Sequence, residues 1–297
     1  VEAMPMCAGS RLAPVGARGR DSWLSCRPLS SEPEPLAPSS AGAATVDAAI
    51  VSAAGQVSRD PGDRLAVGAT LAGRYQLRRL LGRGGSGTVF EAHDQHLGTQ
   101  VAIKLVHPGL AGAAQIEQLR LELLLARKVS HPAVCRVFDL GRHDHPDGPT
   151  WFISMELLEG ETLAARLAQR GPLAVAELAP LVAQITAGLA AAHAVGVVHR
   201  DLTPANILLV TRHGRAQAVI TDFGLAVDAT AATSDRPTAG TPAYMAPEQV
   251  LGQPATAATD VFALGAVLFH AVTGTVPWQG ASAAATARLR LDGPPPR

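Results

Sequence analysis

Cysteine is scarce in this chain, and neither sign of charge is in excess. The 297 residues include three cysteines, Cys7, Cys26 and Cys135, with no C-x-x-C spacing. That excludes a disulfide framework and fits a reducing, cytoplasmic compartment. Lys plus Arg number 25 and Asp plus Glu number 25, so the formal net charge is zero. Nothing in that balance suits nucleic acid or an anionic membrane surface. The histidine pairs His93/His96 and His143/His145 sit in turn-rich sequence without a third ligand, so they read as solvated loop residues rather than a metal site. Long apolar runs are also wanting. Leu178–Val198 is interrupted by Pro180, Gln184 and His193, and Val261–Val272 is too short to span a bilayer. Both read as buried helices, and no transmembrane segment is expected. Residues 1–70 are rich in Pro, Ala, Ser and Gly and hold no helical or strand period, which predicts a disordered tail. They lack the continuous apolar stretch behind a basic start that a secretory leader needs.

What is present is concentrated in a few short motifs. His199-Arg200-Asp201-Leu202-Thr203-Pro204-Ala205-Asn206 places an aspartate five residues before an asparagine, and Asp222-Phe223-Gly224 follows. Phosphoryl transfer needs one carboxylate beside the attacking hydroxyl, and an amide and a second carboxylate to hold magnesium against phosphates. Upstream, Leu81-Gly82-Arg83-Gly84-Gly85-Ser86-Gly87-Thr88-Val89 spells G-x-G-x-x-G-x-V. A dinucleotide-binding fold shares the first part of that spelling but opens a helix after its glycines. Here Thr88–Ala92 is β-branched and alternating, so a strand is expected. Glycines at a turn between two strands let backbone N–H groups approach phosphates. Val101-Ala102-Ile103-Lys104 reads as a buried strand ending in a lysine, which requires anionic partners because an unpaired buried ammonium is very costly. Ala113–Val129 reads as a helix with Leu119, Glu122, Leu123 and Ala126 on one face.

These motifs, in this order, resemble the eukaryotic-like (Hanks-type) serine/threonine protein kinases also found in bacteria, over roughly residues 74–290. The resemblance implies an α+β, two-lobed fold: a strand-rich N-lobe over 71–157 and a mostly helical C-lobe over 158–297. It implies ATP with Mg²⁺, Mn²⁺ being an alternative, and protein substrates, with self-association for autophosphorylation. Lys104 would contact the α- and β-phosphates and pair with Glu122, nine residues before His131-Pro132; Glu117 reads as solvated. Gly82 to Thr88 would cover the phosphates. Leu81, Val89, Ala102 and Leu208 would wall the adenine, with Met155 at its back and the backbone of Glu156 and Leu158 on its edge. Asp201 would be the base, Asn206 and Asp222 the magnesium ligands, and His199 a packed structural residue. Gly240–Glu248 resembles the substrate-docking segment of the serine/threonine class, which argues against a small-molecule kinase. Asp260 would hold the catalytic loop.

Two departures from the family stand out. Thr203 occupies a position usually held by lysine, which removes one positive charge at the γ-phosphate and leaves a pseudokinase or scaffold as the competing reading. Pro294–Pro296 resembles a mid-domain loop, so the C-lobe is expected to be incomplete, leaving Glu248 without an arginine partner and Val261, Leu264, Leu268 and Phe269 uncovered. Arg200 beside Asp201 implies control by phosphate on the segment Asp222–Glu248. Incubation with ATP and Mg²⁺ followed by mass spectrometry should find phosphate in that segment, on Thr238 first and on Thr233 and Ser234 next. Phosphate confined to other regions of an active preparation overturns control by the segment.

Overall fold

A computed structural model describes residues 65–84, 87–106, 112–146, 148–212, 214–223 and 242–293. Six strands form an antiparallel sheet in the order β1-β2-β3-β4-β6-β5. They are β1 (Thr70–Leu71), β2 (Tyr75–Gly84), β3 (Gly87–Asp94), β4 (Thr99–Leu105), β5 (Val137–His143) and β6 (Thr150–Glu156). The strand predicted at Thr88–Ala92 lies within β3, and Gly84 pairs with Gly87 across the hairpin.

The central strand β4 explains the placement of its lysine. Side chains alternate across a sheet. Val101, Ile103 and Leu105 enter one core with Leu71, Leu77, Phe90 and Phe152. Ala102 faces the opposite way and packs with Met155, Val210 and Val219. Lys104 shares the parity of Ala102 and therefore faces the lower lobe, 3% exposed. Helix α1 (Ala113–Ala126) lays Ile116, Leu119 and Leu123 against Ile153 of β6.

Residues 65–70 differ from the expected tail. Leu65 is buried in the upper core, and β1 pairs with β2 at Leu71↔Tyr75. The stretch is too short to show a period, so its burial was not legible.

The lower lobe is built on α2 (Leu163–Arg170), α3 (Val175–Ala194), α4 (Pro247–Val250), α5 (Ala257–Thr273) and α6 (Ala283–Asp292), with a small sheet β7-β8-β9. Its strands are Gly160–Thr162, Ile207–Arg212 and Arg215–Ile220. Thr162 caps α2, accepting from the Ala165 N–H at 3.0 Å. Thr256 caps α5, and Gly274, at φ 76°, ends it in the left-handed conformation that glycine supplies without strain. Helix α3 is the one described helix long and apolar enough to cross a membrane. Its Leu178, Leu181, Ile185 and Leu189 instead fill the lobe's core with Ala263 and Val267 of α5. Gln184 accepts from the Ala218 N–H of β9 at 2.8 Å, fixing helix to sheet. The face expected to be uncovered on α5 is narrower than the sequence suggests. Val261 is 62% exposed, but Leu264 is buried and Leu268 packs on the core.

One ion pair pins the start of the upper sheet. Arg74 clamps Asp94 with two hydrogen bonds of 2.9 and 2.6 Å, while the N–H groups of His96 and Leu97 donate to the same carboxylate. The Arg74 hydrogen bonds hold the Asp94 carboxyl down at about 2. Because its folded pKa lies below the unfolded value of about 3.9, its contribution is complete above roughly pH 4 and is lost as pH falls toward 2. Arg74 is 31% exposed on its side chain, so solvent screening lowers the net value to about 2 kcal/mol or less. Asp94→Asn should lose that amount at pH 6, and the gap to the parent chain should close as pH approaches 2. A denaturation gap that stays constant with pH contradicts the assignment.

Candidate active site

The hairpin β8–β9 assembles the lower half of the cleft. Ile207 pairs with Ile220, so the residues just outside the pair, Asn206 and Thr221, meet, with the Thr221 N–H donating to the Asn206 carbonyl at 2.9 Å. That register places Asp222 next to the end of the loop carrying Asp201. Asn206 Nδ2 in turn donates to the Asp201 carbonyl at 2.8 Å and approaches its Oδ2 at 3.4 Å. Lys104 reaches down from β4 and pairs with Asp222 at 2.7 Å.

The loop is held from below. Asp260, fully buried on α5, accepts from the N–H groups of His199 (2.8 Å) and Arg200 (2.9 Å) and meets His193 Nε2 at 2.7 Å. Arg200 and Asp222 both adopt left-handed backbone, φ 69° and 65°. Such conformations cost a non-glycine residue on the order of 1–3 kcal/mol and persist only where surrounding contacts fix them. His199 is fully buried. Its Nδ1 accepts from the Asp201 N–H at 3.3 Å, so Nε2 carries the proton toward the Thr221 carbonyl at 2.8 Å. Both ring nitrogens are thereby committed to structure. Burial pushes the Asp201 carboxyl above the usual carboxylate range, and the nearby Asp222 charge adds to the effect.

Glu122 is not where the sequence reading put it. It accepts from Arg200 Nη1 at 2.7 Å, whereas Lys104 is taken by Asp222. The two cations beside the cleft have divided the two carboxylates between them, the guanidinium holding the one on α1.

The apolar wall expected around adenine is only partly as predicted. Val89, Ala102, Met155, Leu158 and Leu208 share one apolar cluster, but Leu81 is 39% exposed and outside it. Cys135 and Val219 complete the cluster and were not singled out by sequence, because an apolar residue after a strand-breaking His-Pro carries no separate signal. The Glu156 N–H donates to the Arg136 carbonyl at 2.9 Å, so Glu156 offers only its own carbonyl, 3.8 Å from Cys135 Sγ. Gly87, at φ 123°, could not bear a side chain, since a Cβ there would meet the Leu105 carbonyl at 2.5 Å. Gly82, Arg83 and Gly84 run along β2 to this turn, and Thr88 is buried beyond it. Gly85 and Ser86, together with Thr233, Ser234, Thr238 and Thr241, lie outside the described residues.

The donor set suits magnesium. Asp222 retains a carboxylate oxygen beyond the one on Lys104, and Asn206 has its amide nitrogen committed to Asp201, leaving its oxygen as a hard donor. Among the described residues no cluster of three His, Cys, Asp or Glu suits a softer metal.

The segment after the cleft is anchored by Gln249 and Arg290, which no sequence motif marked, and by Glu248, whose partner is a threonine. Gln249 Nε2 donates to the Arg200 carbonyl at 2.6 Å, tying α4 to the loop. Glu248 accepts from Thr259 Oγ1 at 2.5 Å. Arg290 of α6, 6% exposed, donates to the carbonyls of Pro242 and Met245 and to that of Thr286 at 3.0 Å, and lies 5.2 Å over the Trp278 ring. Burial pushes its guanidinium down to about 10, still charged at neutral pH.

An α+β molecule in which a six-stranded sheet carries a buried lysine over a loop with paired Asp and Asn is a two-lobed phosphotransferase fold. Residues 75–293 match the family model described as protein kinase domain, and the chain belongs to that family. It is 40% identical over 234 residues to serine/threonine-protein kinase PknA of Mycobacterium tuberculosis, covering 77% of this chain and 54% of that protein. To PrkC of Bacillus subtilis it is 36% identical over 233 residues, 77% of this chain and 35% of that one. The chain thus spans about half of PknA and about a third of PrkC. The crystal structure of the Mycobacterium tuberculosis PknI kinase domain, in a double mutant, superposes with a TM-score of 0.59 at 27% identity, covering 72% of this chain and 80% of that one.

Arg290→Ala should destabilise the lower lobe by about 3 kcal/mol, because several carbonyls lose a charged donor at once. Arg290→Lys, which cannot fork between them, should fall between. A denaturation midpoint unchanged in the alanine variant contradicts the anchoring role.

Proposed function

We propose that the protein transfers the γ-phosphate of ATP to serine or threonine hydroxyls of protein substrates, with magnesium as the metal. One observation carries the reading: Lys104–Asp222 at 2.7 Å converges on Asn206–Asp201 at 2.8 Å beneath the Gly84–Gly87 hairpin. Lys104 would hold the α- and β-phosphates, below the hairpin that pairs Gly84 with Gly87. Asp222 and Asn206 hold the metal, which when bound neutralises charge developing between the phosphates. Asp201 orients the substrate hydroxyl and accepts its proton as the new O–P bond forms and the bond between the β–γ bridging oxygen and the γ-phosphorus breaks, ADP leaving with that oxygen. Thr203 contributes no charge at the γ-phosphate, and this lowers the electrostatic part of the acceleration.

Regulation follows from the division of carboxylates. A phosphate on the segment after Asp222 is a stronger partner for Arg200 than Glu122 is. It releases Glu122 toward Lys104, which then has its charge oriented from the α1 side. The partner class is protein, with self-phosphorylation in trans as one source of that phosphate.

Lys104→Met and Asp201→Asn should each reduce transfer by at least about a thousandfold, with ATP affinity falling more in Lys104→Met. Because Asp201 titrates above the ordinary carboxylate range, the acid limb of kcat/KM should lie above about pH 4, activity falling as pH drops through it. Radiolabelled transfer to a generic protein substrate measures both. Near-parental transfer by Asp201→Asn sinks the assignment.

A further inference from the structure

A cavity of about 360 Å³ opens beside the catalytic loop; Thr203 borders it, but none of Lys104, Asp201, Asn206 and Asp222 lines it. Pro204 and Ala205 form its upper wall, in the same short turn that carries Asn206. Ala168 of α2 lies on another side, and Tyr244 and His270 close a third. Its lining residues include no Asp, Glu, Lys or Arg. The polar groups of the third wall satisfy each other: the Tyr244 hydroxyl and His270 Nδ1 are 2.7 Å apart and their rings stack. Burial lowers the pKa of His270 and raises that of Tyr244 to about 12, so the pair is neutral at physiological pH.

The recess adjoins the loop that carries Asp201, with Thr203, Pro204 and Ala205 in its lining. Ala205 is four residues from Asp201, and the segment of Tyr244 is joined to the loop through Gln249. A hydroxyl held at Asp201 puts the next residues of an extended peptide, at about 3.3 Å each, over this opening. A lysine or arginine entering it would be desolvated with no carboxylate to meet it, whereas an aliphatic side chain loses only its contact with water.

We infer that this recess selects the substrate: it takes one aliphatic side chain close in sequence to the phosphoacceptor and rejects lysine and arginine at that position. The inference rests on the kinase reading and adds a substrate class to it.

A peptide library with a fixed serine and randomised flanks, phosphorylated by the full chain, tests the idea. The parent chain should enrich Leu, Ile, Val or Met at one flanking position and disfavour Lys and Arg there by roughly tenfold in kcat/KM. Ala168→Phe, at a solvent-exposed helix position, fills the recess. It should flatten that preference and raise KM for the selected peptide without moving KM for ATP. Ala205→Glu supplies a carboxylate and should turn the preference toward Lys and Arg. A flat or arginine-enriched profile in the parent chain, or unchanged profiles in both variants, overturns the inference while leaving the kinase reading standing. Faster transfer by Ala168→Phe shows that the recess holds a segment of the chain itself, and also overturns it. ATP binding with no transfer to any peptide by the parent chain overturns the kinase reading and this inference together.

Discussion

The cleft depends on one buried carboxylate. Asp260 sits on α5 with no solvent exposure and receives the N–H groups of His199 and Arg200 and the ring of His193. Hydrogen bonds to a charged acceptor contribute about 1.5–3 kcal/mol each. Together they exceed the cost of holding Arg200 in left-handed backbone. That conformation turns the chain sharply between His199 and Asp201. The histidine then points into the core against Phe223, while the aspartate points into the cleft. A helix in the middle of the lower lobe therefore sets the direction of Asp201, the group proposed to receive the proton.

The same residue distributes the consequences outward. With its N–H fixed by Asp260, Arg200 gives its carbonyl to Gln249 and its guanidinium to Glu122. One turn of backbone thus touches the upper lobe through α1 and the docking segment through α4. The connection is short, each link is a direct hydrogen bond, and it runs through a single residue rather than through a chain of packed side chains.

The sequence disclosed those parts whose chemistry and geometry coincide locally. Lys104 was legible as a residue needing anionic partners, because a buried strand cannot hold an unpaired ammonium. Asn206 and Asp222 were legible through their motifs, whereas the hairpin that brings them together was not. Glu122 was legible as a residue on the correct face of α1, but its partner was not, because Lys104 and Arg200 offer equivalent charges and only three-dimensional distance chooses between them. Arg290 and Gln249 act on backbone carbonyls, which every residue possesses, so no side-chain pattern marks their targets. Leu65 and Cys135 pack as ordinary apolar side chains far from their partners in sequence, and burial of that kind has no local signature. The segment reading of residues 1–70 failed at its inner edge for the same reason.

Cys135 packs with Ala102 and Met155, 6% exposed and 3.8 Å from the Glu156 carbonyl. Burial raises its thiol to about 12, so the reactive thiolate is essentially absent at physiological pH. Peroxide and electrophiles act on thiolates, so the packing that shapes the apolar wall also keeps this sulfur chemically quiet.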